Sequence, residues 1–189
     1  MFICEFAIEG GHFDCLKWLV DNKAVLNERT FAVAAKCGHL DILKWLHTKK
    51  CPRTPQTCAY AARGGHTNCL EWLYNNNFPW NESACTEAAR NNHPQTLQWL
   101  RANGCPWNKY TCHAAAESGH LVILKWARAN GCPWDSQTCM LAGGNGHFKT
   151  LKWAHANGCP LDETVHAAVA ESEYTEILQW LNDNNCPIY

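Results

Sequence analysis

The chain has 189 residues, 47% of them apolar and 17% charged, which is enough apolar material for a core and too little charge for a disordered chain. Sixteen basic residues against 17 acidic ones leave a net charge of −1, which argues against a general nucleic-acid binder. No apolar run approaches the roughly 18 residues that a membrane span needs, and Met1-Phe2-Ile3-Cys4-Glu5 has neither the basic start nor the apolar stretch of a signal peptide.

Thirteen Cys, 10 Trp and 10 His stand out. An odd number of cysteines cannot all enter disulfides, and no secretory signal points to an oxidising compartment. The single Asn81-Glu82-Ser83 sequon would matter only in a secreted chain.

The sequence repeats every 27 residues, and 189 is seven times 27. Trp stands at 18, 45, 72, 99, 126, 153 and 180, with Leu two residues before each. His stands at 12, 39, 66, 93, 120 and 147, with Tyr174 in the seventh place. A Cys register at 4, 58, 85, 112 and 139 has Phe31 and His166 in its other two places. Such a register over the whole chain predicts a repeat architecture of residues 1–189 with no separate domain or linker.

Each repeat reads as two short helices. The first repeat begins at Met1 almost directly on a helix, which Gly11 ends, and its second helix carries Leu16 and Trp18. Asn27 caps the next first helix, Gly38 ends it, and Ile42, Leu43, Trp45 and Leu46 form the buried stripe of its partner. In the third repeat Thr54 caps, Pro55 sits where a missing N–H costs nothing, and Cys58, Ala61 and Ala62 make an i, i+3, i+4 face closed by Gly65. Asn81 caps the fourth repeat and Pro94 opens its second helix, which stops at Asn103-Gly104-Cys105-Pro106. The fifth runs from Asn108 through Gly119 and the stripe Ile123, Leu124, Trp126 and Ala127 to Asn130-Gly131-Cys132-Pro133. Asp135, Gly146 and Asn157-Gly158-Cys159-Pro160 mark the sixth in the same way. In the seventh Asp162 caps and Glu173-Tyr174 replaces Gly-His, and Cys186-Pro187-Ile188-Tyr189 is the turn that would lead into an eighth.

A unit this small cannot bury its aliphatic residues alone, so the expected fold is all-α: an α-solenoid of seven 27-residue helix-turn-helix repeats. A leucine-rich repeat has a similar period, but it needs a β-branched strand per unit, for which this Ala-rich, twice-capped pattern leaves no room.

Thr57-Cys58-Ala59-Tyr60-Ala61-Ala62-Arg63-Gly64-Gly65-His66 resembles the TPLHxAAxxGH signature of ankyrin repeats, with Cys58 in the Leu place. Leu70-Glu71-Trp72-Leu73 and Asn103-Gly104-Cys105-Pro106-Trp107-Asn108 resemble that family's second helix and tail, and the likeness covers all seven repeats. In detail they look most like the Cys- and Trp-rich ankyrin arrays of amoeba-infecting giant DNA viruses. That resemblance implies a viral, cytoplasmic, non-catalytic scaffold that works in the host cytosol and binds a protein partner, such as a host protein, with no cofactor. An ankyrin repeat is usually about 33 residues long. The shortfall falls between Asn81 or Asp135 and the helix that follows, so the family's β-hairpin fingers should be shortened here.

Five cysteines lie in the Cys-Pro turns (51, 105, 132, 159, 186), five on first helices, two on second helices (15, 69), and Cys37 stands alone. Equivalent residues of adjacent repeats sit about 8–10 Å apart, too far for a disulfide or a shared zinc ion. The nearest pairs in sequence are Cys51/Cys58, Cys105/Cys112 and Cys132/Cys139, whose C-x6-C spacing is neither a zinc-ribbon nor a redox pattern. Cysteine as a small core residue is the favoured reading. A metal- or redox-responsive module built on those turn pairs is the alternative. The histidine ladder reads as backbone-bonding, the phase-locked tryptophans as core, and Trp80, Trp107 and Trp134 as buried in the stack. No phosphate loop, nucleophile elbow or triad order appears, so neither a catalytic nor a metal site is expected.

A binding face must use positions that the stack leaves free. In the ankyrin pattern the residue after Ala-Ala faces the inner, concave surface, and along the chain this row reads Glu9, Lys36, Arg63, Arg90, Glu117, Gly144, Glu171. Lys36, Arg63 and Arg90, flanked by Glu9 and Glu117 and joined by Tyr110, form the candidate partner-binding set, although cations near a helix C-terminus also simply favour the dipole. Lys17, Lys44, Lys125 and Lys152 read as a solvated convex row, and neither nucleic acid nor membrane is an expected partner.

Overall fold

The computed structural model describes residues 3–188; Met1, Phe2 and Tyr189, which enter the reading of the two chain ends, lie outside them. Fourteen helices and no strand occur among the described residues. They come in pairs: α1 (Ile3–Glu9) with α2 (Phe13–Asp21), α3 (Glu28–Cys37) with α4 (Leu40–Thr48), α5 (Pro55–Arg63) with α6 (Thr67–Asn75), and α7 (Glu82–Arg90) with α8 (Pro94–Ala102). The same alternation continues through α9 (Lys109–Glu117) with α10 (Leu121–Ala129), α11 (Ser136–Gly144) with α12 (Phe148–Ala156), and α13 (Glu163–Glu171) with α14 (Thr175–Asp183). The chain falls into two compact units, one up to Pro106 with α1–α8 and one from Trp107 onward with α9–α14.

The helix boundaries follow from local chemistry. Asn27, Asn81, Asn108 and Asp162 each accept a backbone N–H of the helix they open, and Asn27 and Thr30 form a reciprocal capping box. Thr54 and Asp135 occupy the same position but make no cap hydrogen bond with their side chains. Both helices of a repeat end in a six-to-one backbone bond, as in His66 N–H to Ala61 O and Cys105 N–H to Leu100 O. Those ends need a left-handed residue: Gly65 has φ +71° and Gly104 +81°, while Lys50, Asn77 and Asn185 serve at the equivalent of Gly104 in other repeats. The turns that lead into the next first helix contain no strand, so the expected shortening of the fingers is what the structure shows.

In the first unit α1 packs on α3, α3 on α5 and α5 on α7, with the second helices behind them; in the second unit α9, α11 and α13 form the corresponding row. Small side chains let these backbones approach, and Ala34, Ala35, Ala61, Ala62, Ala88 and Ala89 are completely buried. Behind them Leu43, Leu46, Leu70, Leu73, Leu97 and Leu100 fill the space between the helix rows, as Leu124 and Leu151 do in the second unit. At about 25 cal/mol per Å² of apolar surface, each such leucine contributes about 2 kcal/mol to the stack.

The tryptophans correct the sequence reading. Trp18 is 65% exposed, and the other six in its phase are only half-buried. On a helix that turns about 100° per residue, Trp45 lies about 100° round from the centre of the Ile42, Leu43 and Leu46 stripe, on its flank. The turn residues are half-buried too and lie edge-on to these flank rings: Trp80 to Trp99 (6.2 Å), Trp107 to Trp126 (5.9 Å) and Trp134 to Trp153 (5.9 Å). The aromatic ladder covers the side of each stack, and the leucines form its core.

Candidate functional site

The row read from the sequence closes the first helices: Glu9, Arg63, Arg90, Glu117, Gly144 and Glu171 are their last residues, and Lys36 is next to last. Each follows a pair of small buried residues in most repeats, so a further turn of about 100° brings it out of the helix row. Glu9, Lys36 and Arg63 are exposed, whereas Arg90 and Glu117 are half-buried and engaged in interactions of their own. The backbone of the row is held by the following repeat. His66 Nε2 donates to Lys36 O (3.0 Å), His93 Nε2 to Arg63 O (3.0 Å), and His147 Nε2 to Glu117 O (2.9 Å). A carbonyl only accepts, which fixes the proton on Nε2. Ser172 Oγ performs the same service for Gly144 O at 2.8 Å. The backbone-bonding reading of the histidines therefore stands for these three, and they space the row.

Two clefts open on the first-helix face of the first unit, one on either side of Tyr60, which is 37% exposed. One, of about 650 Å³, lies between α3 and α5 and is lined by Glu28, Arg29, Ala32, Thr54, Gln56 and Tyr60. The other, of about 210 Å³, lies between α5 and α7; Arg63 and Glu87 border it, with Arg63 Nε 3.8 Å from Glu87 Oε2. Lys36 and Glu9 both act on the Cys37 thiol; burial raises its pKa, the Lys36 charge lowers it and Glu9 raises it. The structure thus places Lys36, Arg63, Arg90 and Glu9 in the first unit, and Glu117 and Tyr110 in the second. Tyr110 is not in the row: it stands in the first turn of α9, 56% exposed, with its ring edge-on to His113 at 5.5 Å. Sequence reasoning missed Tyr60 and Glu87. Tyr60 precedes Arg63 by three residues, a helical-face spacing that could have revealed it.

The second unit holds a polar cluster that the sequence did not announce. Asp135 stands at a cap position, but its Oδ1 lies 2.7 Å from Nε2 of buried His113 and its Oδ2 2.8 Å from Lys109 Nζ. Burial works against the Asp135 charge, yet the hydrogen bonds from Lys109 and His113 outweigh it and hold the carboxyl below its usual range. The carboxylate is thereby diverted from the start of α11 to fasten α9.

Cys15 is exposed and Cys37 half-buried, and the remaining cysteines are buried. Burial pushes the Cys51 thiol up to about 11, Cys58 to about 12 and Cys69 to about 11, so these are neutral core groups. Each turn cysteine also points its thiol at the carbonyl of the residue that opens its own repeat: Cys51 to Asn27 (3.0 Å), Cys105 to Asn81 (3.4 Å), Cys132 to Asn108 (3.4 Å), Cys159 to Asp135 (3.2 Å) and Cys186 to Asp162 (3.5 Å). In the second unit the residue that meets a helix cysteine is the one twenty positions on, rather than a C-x6-C neighbour: Cys112 meets Cys132, and Cys139 meets Cys159. Among the described residues no group of three or more His, Cys, Asp or Glu side chains could hold a metal ion, and no helix is long and apolar enough to cross a membrane.

Paired helices whose first members pack in a row define a helical-repeat architecture. Two family models, described as ankyrin repeats (3 copies) and ankyrin repeats (many copies), match residues 31–111 and 4–47. Together they span residues 4–111, more than half of the chain, and the chain belongs to the ankyrin-repeat family. Among solved structures it is similar to the human ASB11 ankyrin repeat domain, with 18% identity and a TM-score of 0.65 over 83% of this chain and 84% of that one. At that identity the likeness establishes the fold. A search of curated proteins finds no match to the sequence. Ankyrin repeats are in general protein–protein interaction modules, and their fold is typically a non-catalytic scaffold.

Proposed function

We propose that this protein is a non-catalytic scaffold that binds a protein partner on the first-helix face of its first unit. The observation that carries this reading is the pair of clefts flanking exposed Tyr60, with exposed Lys36 and Arg63 on the same helix row. An extended, acidic segment fits that surface: its carboxylates face Lys36, Arg63 and Arg90, and one apolar side chain enters a cleft beside Tyr60. Glu9 at one end of the row disfavours acid there and so helps to set the register. Exposed Tyr110 and half-buried Glu117 belong to the second unit and are candidate contacts there. The Cys- and Trp-rich repeats support a place among the arrays of amoeba-infecting giant DNA viruses, with the host cytosol as the site of action and a host protein as the partner.

Selection of displayed random peptides against the full chain tests the proposal. Acid-rich binders should emerge whose affinity falls with added salt, and Lys36→Glu with Arg63→Glu should abolish their binding while helix content stays unchanged. Peptides held equally well by that variant, and lost instead on reversing Lys44, would place the site on the other face.

A further inference from the structure

In the second unit two pairs of buried sulfurs sit in contact without being bridged. Cys112, on α9, hydrogen-bonds the Cys132 sulfur in the turn after α10, and its Sγ also lies 4.0 Å from Cys132 O. Cys139, on α11, does the same with Cys159 in the turn after α12, at 3.9 Å from Cys159 O. Each helix sulfur therefore rests against both the sulfur and the backbone of its partner, and all four residues are buried. The two slots are built by the repeat, since a first-helix residue and the exit turn twenty positions on always meet at the same place in the stack.

We propose that Cys112–Cys132 and Cys139–Cys159 are oxidation sites, at which a peroxide converts each dithiol into a disulfide that ties a first helix to the exit turn of its own repeat. The chemistry balances with one peroxide per pair. In the Cys139–Cys159 pair, the Cys159 sulfur attacks one peroxide oxygen; an S–O bond forms, the O–O bond breaks, and the departing oxygen leaves as water after taking a proton. The Cys139 sulfur then attacks the sulfenic sulfur of Cys159; an S–S bond forms, the S–O bond breaks, and that oxygen also leaves as water with the Cys139 proton. Two thiols and one peroxide give one disulfide and two waters, each sulfur losing one electron and the peroxide gaining two.

Two features of the structure favour this outcome. The partner sulfur is already in place, so the second step needs no loop closure. The Cys139 thiol donates to Cys159, which lowers the Cys159 pKa against the effect of burial and raises that of Cys139, so attacker and resolver are set apart. Three other repeats carry built-in controls, because Phe31 faces the Cys51 slot, Phe78 the Cys58 slot and His166 the Cys186 slot, and a single sulfur cannot bridge, whereas Cys85 and Cys105 stand in the dithiol register of the fourth repeat.

The test uses the full chain with Cys15→Ser and Cys37→Ser, which removes the two most exposed thiols. Treatment with hydrogen peroxide, alkylation under denaturing conditions and peptide mass mapping should show Cys112 linked to Cys132 and Cys139 linked to Cys159. At least four alkylatable thiols should be lost, two for each linked pair, and then recovered with a reductant. Hydrogen exchange in α9 and α11 should slow in the oxidised form, with helix content unchanged. Cys139→Ala should remove its own link and leave Cys112–Cys132 intact; if that variant does not fold, the linkage map of the parent chain decides. Sulfinic acid at these four positions without cross-linked peptides, links joining cysteines that do not stand twenty positions apart, or no reaction in the folded chain would each overturn the proposal.

Discussion

Replacing Gly65 by alanine probes the coupling between neighbouring repeats at a single atom. Gly65 ends α5 with φ +71°, and a Cβ there would stand 2.5 Å from Nδ1 and 2.7 Å from Cε1 of the His93 ring. The left-handed conformation alone costs an alanine about 1–2 kcal/mol, offset by about 0.4–1 kcal/mol from the stiffer unfolded chain. Displacing the ring adds about 1 kcal/mol for the His93–Arg63 hydrogen bond and about 1 kcal/mol or more for repacking, giving about 3 kcal/mol in all. Gly104 is the control, since its φ is +81° but a Cβ there would meet nothing within 4 Å. Gly104→Ala should therefore cost only about 1 kcal/mol. Urea unfolding followed by circular dichroism should show the two variants about 2 kcal/mol apart, and in a His93→Ala background that gap should close to within about 0.5 kcal/mol. Equal destabilisation by the two alanines, or a gap that survives removal of the imidazole, would refute the idea that His93 carries the contact between these repeats.

Leu43→Ala should cost about 3 kcal/mol in the same assay and Trp18→Ala about 1 kcal/mol or less, because Leu43 is fully buried and Trp18 is 65% exposed. Thr57→Val should stabilise by about 1 kcal/mol, since the buried Thr57 hydroxyl has no hydrogen-bond partner; Thr30→Val, at the same register, should destabilise by a similar amount because that hydroxyl closes a capping box. Asp135 is held below its usual value of 3.8, so its contribution is present above that pH and is lost as the pH falls through the folded-state value. The stability difference between the parent chain and Asp135→Asn should accordingly shrink on acidification below about pH 4, as followed by urea titration at each pH.

The helix boundaries were legible because they are set by neighbours in sequence: a cap such as Asn81, a left-handed Gly65, a proline at 55 or 94. Burial was less legible. The phase of Trp45 is plain from the repeat, but the repeat does not say which side of the helix is inside, and the flank position follows only from its angle to Leu43 and Leu46. Asp135 looked like any other cap, and only the approach of α9 explains why Lys109 and His113 capture it. The sulfur pairs were hidden because comparison of like positions and of nearest neighbours passes over a contact that spans twenty residues. At the candidate site the row of Lys36 and Arg63 was readable from the signature, whereas the clefts beside Tyr60 exist only between packed helices.

The central claim is that the partner lies on the first-helix face of the first unit, and covalent footprinting of the complex with a selected acidic peptide tests it most directly. The account predicts that labelling of Tyr60, Gln56 and Arg63 falls on binding, while Lys44, Trp45 and Trp72 on the second helices keep their reactivity. Protection of the second-helix residues with Tyr60 unchanged would contradict it.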